Sequence, residues 1–215
     1  MALTLLLRVR LLLPALLAAL AALVPAYAGA TTAVVVDIAG RPEQIQRVPY
    51  VEIVAVATSI ATAWLLRPRF WEWERLGGGH VRVHAAAVAL VGLLLPLLPA
   101  AVAVLRLPPE TRPWLVLPPV LLFSALTFAA TALVGPVGGG LLSLLAVAGG
   151  AVVLNLQPGA ARVLPVSYAG GQGHRLPGMP YWWLGPLLMT AAALAVHATT
   201  AGATTWSRRL LRNEE

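Results

Sequence analysis

Few residues of this sequence have types and positions that suit chemistry, and the most prominent is an acid inside an apolar segment. Glu52 is the only carboxylate that we place within a predicted membrane-spanning segment, near the start of 50–66. An ionised group is costly to hold in a bilayer, so intramembrane acids are functional candidates by default. Glu52 is therefore our candidate transport-pathway residue, as a proton site, a cation site or a gate. The alternative is that it lies within a turn of the outer boundary and reaches water.

Histidine and serine suggest two further kinds of site. His80 and His84 stand four residues apart, a spacing that can place two imidazoles on one metal ion, but a third ligand would have to come from His197. Packed or interfacial histidines are commoner, and we assign no metal. Ser143 lacks the G-x-S-x-G order of a hydrolase, and His197 alone does not make a catalytic pair. We expect a chain that is not an enzyme and holds no cofactor of its own.

Composition excludes other classes. Of 215 residues, 59% are hydrophobic and 11% are charged, against roughly half and a quarter in soluble domains. All fifteen basic residues are arginine and cysteine is absent, which removes P-loop and Schiff-base lysines, disulfides and thiolate metal sites. The net charge of +7 comes from arginines at the ends of apolar runs, where they orient a membrane protein. We therefore predict a lipid bilayer as surroundings and no nucleic-acid partner.

The apolar runs predict an all-α fold, one transmembrane domain over 1–215 that forms a polytopic membrane helix bundle. A bilayer takes about 20 apolar residues per helix, which gives about six transmembrane helices. The predicted spans are 11–30, 50–66, 84–105, 114–134, 141–156 and 181–200. Residues 31–49 are predicted to be a loop, GPVGGG to reverse the chain between the fourth and fifth spans, and 157–180 to be the largest outer loop.

The first segment has two interpretations. Ala26-Tyr27-Ala28 resembles a signal-peptidase site, but seven largely apolar residues precede Arg8, whereas a signal peptide normally opens with its charge. We favour a retained span in the cell membrane with both termini cytoplasmic. This orientation follows the positive-inside rule, because nine arginines then lie on the cytoplasmic side and six outside. The cytoplasmic set is Arg8, Arg10, Arg67, Arg69, Arg75, Arg82, Arg208, Arg209 and Arg212, and the outer set is Arg41, Arg47, Arg106, Arg112, Arg162 and Arg175.

The stretch Arg67 to Arg82, RPRFWEWERLGGGHVR, is the only densely charged interior segment. It predicts a cytoplasmic amphipathic helix over 67–76, because Pro68 suits a first helical turn and three glycines follow Leu76. On a helical wheel an apolar stripe and a charged stripe separate. The helix either only anchors the loop to the membrane or docks a cytoplasmic partner. The candidate partner-coupling residues are Phe70, Trp71, Glu72, Trp73, Glu74 and Arg75.

Six predicted spans, cytoplasmic termini, a charged helix after the second span and a large outer loop before the last form a recognisable arrangement. The closest local likeness is EIVAVATSIATAWLLRPRFWEWERLG, from Glu52 to Gly77. Together these features resemble the type-2 family of ATP-binding-cassette (ABC) transporter permeases, in its small bacterial form. The chain is shorter than typical members, and its first outer loop is longer than expected.

The resemblance implies a permease subunit, expected to be an exporter, that forms a homodimer or heterodimer and engages a separate ATP-binding subunit. That subunit would hold ATP and magnesium, and the 67–82 loop would couple it to the spans through residues 70–75. The absence of lysine fits this division of labour. Two alternatives remain: a non-catalytic membrane subunit or anchor of a larger complex, and a proton- or ion-coupled carrier that uses Glu52.

Overall fold

The computed structural model describes residues 11–36, 46–67, 80–107, 116–157 and 179–201. Within these ranges the chain is predominantly helical, and the predicted class, an all-α bundle of apolar helices, is confirmed. In chain order the helices are α1 (Leu12–Ala21), α2 (Leu23–Ala28), α3 (Tyr50–Leu65), α4 (His80–Leu94), α5 (Leu97–Val104), α6 (Leu117–Leu156) and α7 (Met179–Thr200).

Two short strands lie where the sequence predicted only a loop. β1 (Ala33–Val36) pairs antiparallel with β2 (Gln46–Pro49), with Ala33 opposite Pro49. The consecutive valines of β1 favour this, because β-branched side chains fit a pleated strand. β2 runs directly into α3, and the Tyr50 N–H donates to the Thr32 carbonyl at 3.0 Å. The strands thus fix where α3 begins, and we call this end of the bundle the sheet end.

Three helical stretches among the described residues are long and apolar enough to cross a membrane: Val81–Val104, Leu117–Val153 and Trp183–Thr200. Leu12–Ala28 and Tyr50–Leu65 are apolar but shorter. These helices are those of a membrane-embedded protein. The count of six spans and the orientation of the termini stay predictions.

The 40-residue helix α6 reverses direction at a single residue. Gly135 has φ 88° and ψ 168°, a region that is essentially restricted to glycine. The hydroxyl oxygens of Thr127 and Ser143 are 2.7 Å apart, although sixteen residues of straight helix would separate them by about 24 Å. Helix α6 is therefore a hairpin of two antiparallel halves, 117–134 and 136–156.

Glycines 138–140 lie within a helix, whereas the sequence predicted that they belong to the turn. We assigned all of GPVGGG to the turn, with the next span starting at 141, but the structure confines the turn to Gly135 and continues as helix from there. A methyl group on Gly139 would lie 2.6 Å from the backbone nitrogen of Thr131. The reason for glycine at 139 is therefore the close approach of the two halves rather than the turn.

Helices α4 and α5 form one apolar stretch that is interrupted at Leu95 and Pro96. Pro96 has no N–H to donate to the carbonyl of Gly92, and its ring disfavours continuation of a straight helix. The stretch also begins at His80, four residues before the predicted start at 84. His80 and His84 therefore lie on one helix. Residues 80–82, which the sequence assigned to the loop 67–82, belong to α4.

Alanines from five helices meet in the main core: Ala15, Ala63, Ala89, Ala125 and Ala193. Such small side chains let membrane helices approach closely, and the larger Leu93 and Phe128 fill the remaining space. A second cluster, the sheet-end cluster, joins the end of α2, the start of α3, the end of α5 and the start of α6. Its buried members are Ala26, Ala30, Val51, Val54, Ala55, Ala100, Ala103, Val116 and Val120.

Candidate functional site

Glu52 lies in the first turn of α3 and is fully buried, with 0% of its surface exposed. The alternative that its carboxylate reaches water at the helix end is therefore wrong, because neighbouring elements cover it. Val51 and Val54, close to Glu52 on α3, belong to the sheet-end cluster, and Val56 packs with Phe123 in a further cluster. Burial of a carboxylate in an apolar bundle costs free energy that pairing or hydrogen bonding only partly returns, so such an acid is a functional candidate.

The local sequence explains how Glu52 comes to this place. Pro49 caps α3 with extended backbone, φ −61° and ψ 133°, so Glu52 is the third helical residue. An acid in the first turn is favoured by the partial positive charge of the helix N-terminus. The usual return bond from such an acid to the cap residue cannot form here, because proline has no N–H. The carboxylate is thus positioned inside the bundle without being bound to the cap.

Three buried hydroxyl side chains follow Glu52 along α3, at Thr58, Ser59 and Thr62. Each donates to a carbonyl one turn earlier, at 2.7 Å to Val54, 2.8 Å to Ala55 and 2.9 Å to Thr58. These bonds satisfy the hydroxyl hydrogens, while the oxygen lone pairs remain acceptors. Ser59 follows Glu52 by two helical turns and lies on its face. We call Glu52 with these three residues the polar face of α3.

The α6 hairpin carries a second set of buried hydroxyls, on Ser124, Thr127, Thr131 and Ser143. The Thr127 and Ser143 hydroxyls contact each other, and they also approach the carbonyls of Phe123 and Gly139 at 2.7 Å and 2.8 Å. Two hydroxyl hydrogens serve these three contacts, so one of them must point across the hairpin. The two halves are thus joined by a polar contact as well as by close packing.

Helix α3 packs against this hairpin. Val56, Ile53 and Ile60 contact a cluster that includes Ala146 and Val147 of the second half. A methyl group on Gly140 would lie 3.2 Å from Ile60 Cγ2, so glycine allows this contact to be close. The two hydroxyl-bearing elements, α3 and α6, are therefore direct neighbours.

Ser124 serves a different purpose, at the interruption between α4 and α5. Its hydroxyl donates to the Leu93 carbonyl at 2.8 Å, within the turn that Pro96 disrupts. Gly92 lies at the same level, and a methyl group there would come within 2.6 Å of Phe128 Cζ. A backbone carbonyl next to an interruption of a helix in a membrane protein gains a donor from such a side chain. The bond ties the kink of one span to the first half of the hairpin.

His197, in the last turn of α7, is 7% exposed. Its Nδ1 lies 3.0 Å from the Ala193 carbonyl, and its ring centroid is 5.9 Å from that of Phe128. The Ser143 hydroxyl pairs instead with Thr127 and Gly139, neither of which is a base. The structure thus does not bring Ser143 and His197 together as a nucleophile and its base.

The described residues contain no group of three His, Cys, Asp or Glu side chains that could hold a metal ion. The His84 side chain is half-buried on α4. The side chain of His80, the other member of the pair, lies outside the described residues.

The predicted partner-coupling residues 70–75 lie outside the described residues, as do most of the predicted helix 67–76 and of the outer loop 157–180. Before this segment α3 ends at Leu65, and the Arg67 guanidinium lies over the Trp64 ring, 4.8 Å from its centroid. This cation–π contact marks the end of the bundle opposite the sheet end.

Sequence reasoning singled out Glu52 and missed the buried hydroxyls. A signal for them was present in their spacing. Ser124, Thr127 and Thr131 stand at i, i+3 and i+7, and Ser59 stands seven residues after Glu52, so each set lies on one helical face. Polar residues that share a face within otherwise apolar spans are expected to point into the protein rather than to lipid.

Comparison with known proteins identifies no relative: no protein-family model matches the chain, and neither a curated protein nor a solved structure matches it significantly. The buried carboxylate can accept and release a proton or bind a cation, and the hydroxyl oxygens further along α3 can accept hydrogen bonds from water or a solute. This chemistry suits passage of a polar species through an apolar bundle.

Proposed function

We propose that this chain is the membrane-spanning permease subunit of a transporter, with Glu52 and the polar face of α3 in its transport pathway. One observation carries the proposal: a carboxylate with 0% exposure inside a bundle of apolar helices. An acid in this setting is difficult to account for by folding alone, because its desolvation costs free energy that an apolar residue would not lose. The neighbouring hydroxyls and the interrupted helices are further features typical of membrane transport pathways.

The first version of this proposal is an ATP-driven ABC transporter, expected to be an exporter. It is supported by the resemblance of the sequence to type-2 permeases and by the arginine-rich segment that follows Arg67. In this version two permease chains associate and each engages a separate ATP-binding subunit through 67–82. The chain is then no enzyme by itself, and ATP and magnesium belong to the partner.

The second version is a proton- or ion-coupled carrier. The full burial of Glu52 favours it, because proton coupling requires an ionisable group inside the membrane that is shielded from water in one state. A non-catalytic anchor in a larger complex is the third candidate, and it gives no reason for a buried acid.

Charge reversal in the coupling segment tests the ATP-driven version. We expect the tagged chain, extracted in mild detergent, to co-purify with an ATPase, and Glu72→Arg with Arg75→Glu to abolish the association, since reversed charges repel the former partners. The matched control is Arg209→Glu with Glu214→Arg in the terminal tail, which makes the same exchange on the same predicted side. The ATP-driven version is wrong if no ATPase co-purifies. It is also wrong if the complex persists after the charge exchange in the coupling segment.

A further inference from the structure

Several contacts fasten the sheet end of the bundle. Helix α2 ends at Ala28, and Gly29 packs so closely on the Tyr50 ring that a methyl group there would overlap it. Tyr50 also donates its N–H to Thr32. The end of the first helical segment is therefore held against the start of α3, two residues before Glu52.

Arg106, just after α5, also binds this end of the bundle, although it is far from α2 in the sequence. Its Nη1 donates to the Tyr27 carbonyl at 3.1 Å and to the Ala28 carbonyl at 3.3 Å. The guanidinium carbon also lies 5.2 Å from the centroid of the Tyr27 ring. The last carbonyls of a helix have no partner within that helix, so a cationic donor binds them favourably. We call these three contacts the Arg106 clasp.

Small side chains predominate where the clasp joins two parts of the chain. Helix α2 and the turn after it contribute the buried alanines Ala26 and Ala30 to the sheet-end cluster, and α5 contributes Ala100 and Ala103. Alanine pairs fit closely but remove little apolar area, and in lipid they gain little from desolvation. The clasp itself is exposed and accessible to changes in the aqueous phase. The polar bonds of the clasp therefore add a specific attraction to this packing.

The same alanines belong to the sheet-end cluster, which also contains Val51 and Val54 beside Glu52. Separation of α2 from α5 would thus open the bundle at the depth of Glu52. We infer that the Arg106 clasp is a latch that closes the sheet end over Glu52, and that its release admits water and solute to the polar face of α3. This inference rests on the proposed transport pathway.

Cysteine accessibility tests the latch directly, because the natural chain contains no cysteine. Ser59→Cys places one thiol on the polar face, at a residue with 0% exposure, and its reaction with a small charged methanethiosulfonate reagent is followed in liposomes. We expect slow labelling with the clasp intact. Arg106→Ala removes charge-assisted bonds and should raise the rate about tenfold. Arg106→Lys keeps the charge but not the planar fork, and should give an intermediate rate.

Three controls separate a latch from general loosening. Thr31→Cys is exposed and should react rapidly in every background. Ala63→Cys is buried near the other end of α3, and its slow rate should not change with Arg106→Ala. Arg82→Ala removes an exposed arginine near the start of α4 and should leave Ser59→Cys slow.

An unchanged Ser59→Cys rate in Arg106→Ala overturns the latch, and so does an equal rise at Ala63→Cys. If Arg106→Ala does not yield folded protein, Tyr27→Leu removes the ring contact alone and should give a smaller rise at Ser59→Cys; no rise overturns the latch. Labelling needs neither ATP nor transport. A failed transport assay with a positive labelling result therefore refutes the pathway and leaves the clasp standing as a closure.

Discussion

Glu52 combines complete burial with a position in the first turn of an apolar helix. The apolar sequence around it was enough to single it out, because a lone carboxylate among some seventeen mostly apolar residues conflicts with its surroundings. Its burial was not predictable from the sequence. Whether an acid near a helix end reaches water depends on what packs over that end, here β2, α2 and α5, and such contacts join residues far apart in the chain.

Replacement of Glu52 by glutamine tests its role as a proton carrier. Glutamine keeps the shape and hydrogen-bonding capacity but does not titrate. In liposomes loaded with a pH-sensitive dye, the carrier version predicts proton flux through the natural chain after a pH step. Glu52→Gln should reduce that flux to the rate of protein-free vesicles and remove its pH dependence.

Glu110→Gln is the matched control, since it removes a carboxylate from outside the predicted spans, and its flux should equal that of the natural chain. A Glu52→Gln protein that conducts protons normally would end the carrier version. Both variants should elute as the natural chain does from a size-exclusion column, so that a loss of flux cannot be ascribed to misfolding.

The hydroxyl residues show a different limit of sequence reasoning. Threonine and serine are common in membrane helices, where the hydroxyl donates a hydrogen bond to a carbonyl of the preceding turn, as the Thr58 hydroxyl does to Val54. Their number therefore says little. Their alignment on one face is informative, but only the structure shows that α3 and α6 are direct neighbours, in contact through Val56 and Phe123.

At the scale of elements, the α6 hairpin depends on a few glycines with separate tasks. Gly135 makes the turn with its positive φ, and Gly139 allows the two halves to touch. The sequence GPVGGG identifies the region of reversal, because glycine and proline end helices. It does not identify which glycine forms the turn and which one allows the two halves to pack closely, because that depends on how the second half lies along the first.

Alanine substitution at neighbouring glycines should separate these tasks. Gly139→Ala brings its methyl group to 2.6 Å from the Thr131 backbone nitrogen, which cannot rotate away, and overpacking of this kind costs about 1–3 kcal/mol. Gly138→Ala meets only side-chain atoms, with Val134 Cγ2 at 2.9 Å, and the exposed Val134 can shift outward by the small distance needed. We expect a clear loss of unfolding free energy for Gly139→Ala and little change for Gly138→Ala.

Titration with a denaturing detergent in mixed micelles gives both unfolding free energies under the same conditions. Equal losses at the two positions would mean that the hairpin halves are not in backbone contact at Gly139. A loss only at Gly138 would contradict the register that the Thr127–Ser143 contact defines.

Over the described residues the molecule is a bundle of apolar helices, and the sequence predicts this fold class but not its details. The long apolar runs predicted spans at 84–105 and 181–200, and the structure has helical stretches at Val81–Val104 and Trp183–Thr200. The strands were missed because a four-residue strand such as Ala33–Val36 has too short a pattern, and its partner lies beyond a gap of several residues. The break at Pro96 was missed because proline is tolerated within membrane helices.

The number of spans decides the sides on which the termini lie, and the hairpin is central to that number. If both halves of α6 cross the bilayer, together with Leu12–Ala28, Tyr50–Leu65, Val81–Val104 and Trp183–Thr200, the total is even and the termini share one side. If the hairpin enters and leaves the bilayer on one side without crossing it, the total falls from six to four and stays even. If one of the two shorter helices stays at the surface, the total becomes odd. The arginine distribution predicts that the shared side is the cytoplasm.

Single cysteines introduced into the cysteine-free chain can determine this parity. Ala2→Cys and Asn213→Cys mark the two termini, and Thr111→Cys marks the predicted outer turn between the third and fourth spans. With a membrane-impermeant maleimide, we expect intact cells to label only Thr111→Cys, and permeabilised cells to label all three. Labelling of one terminus alone in intact cells would establish an odd number of spans. Because the type-2 permease arrangement requires both termini on the ATPase side, that outcome would also remove the topological basis of the ATP-driven version and leave the carrier built around Glu52.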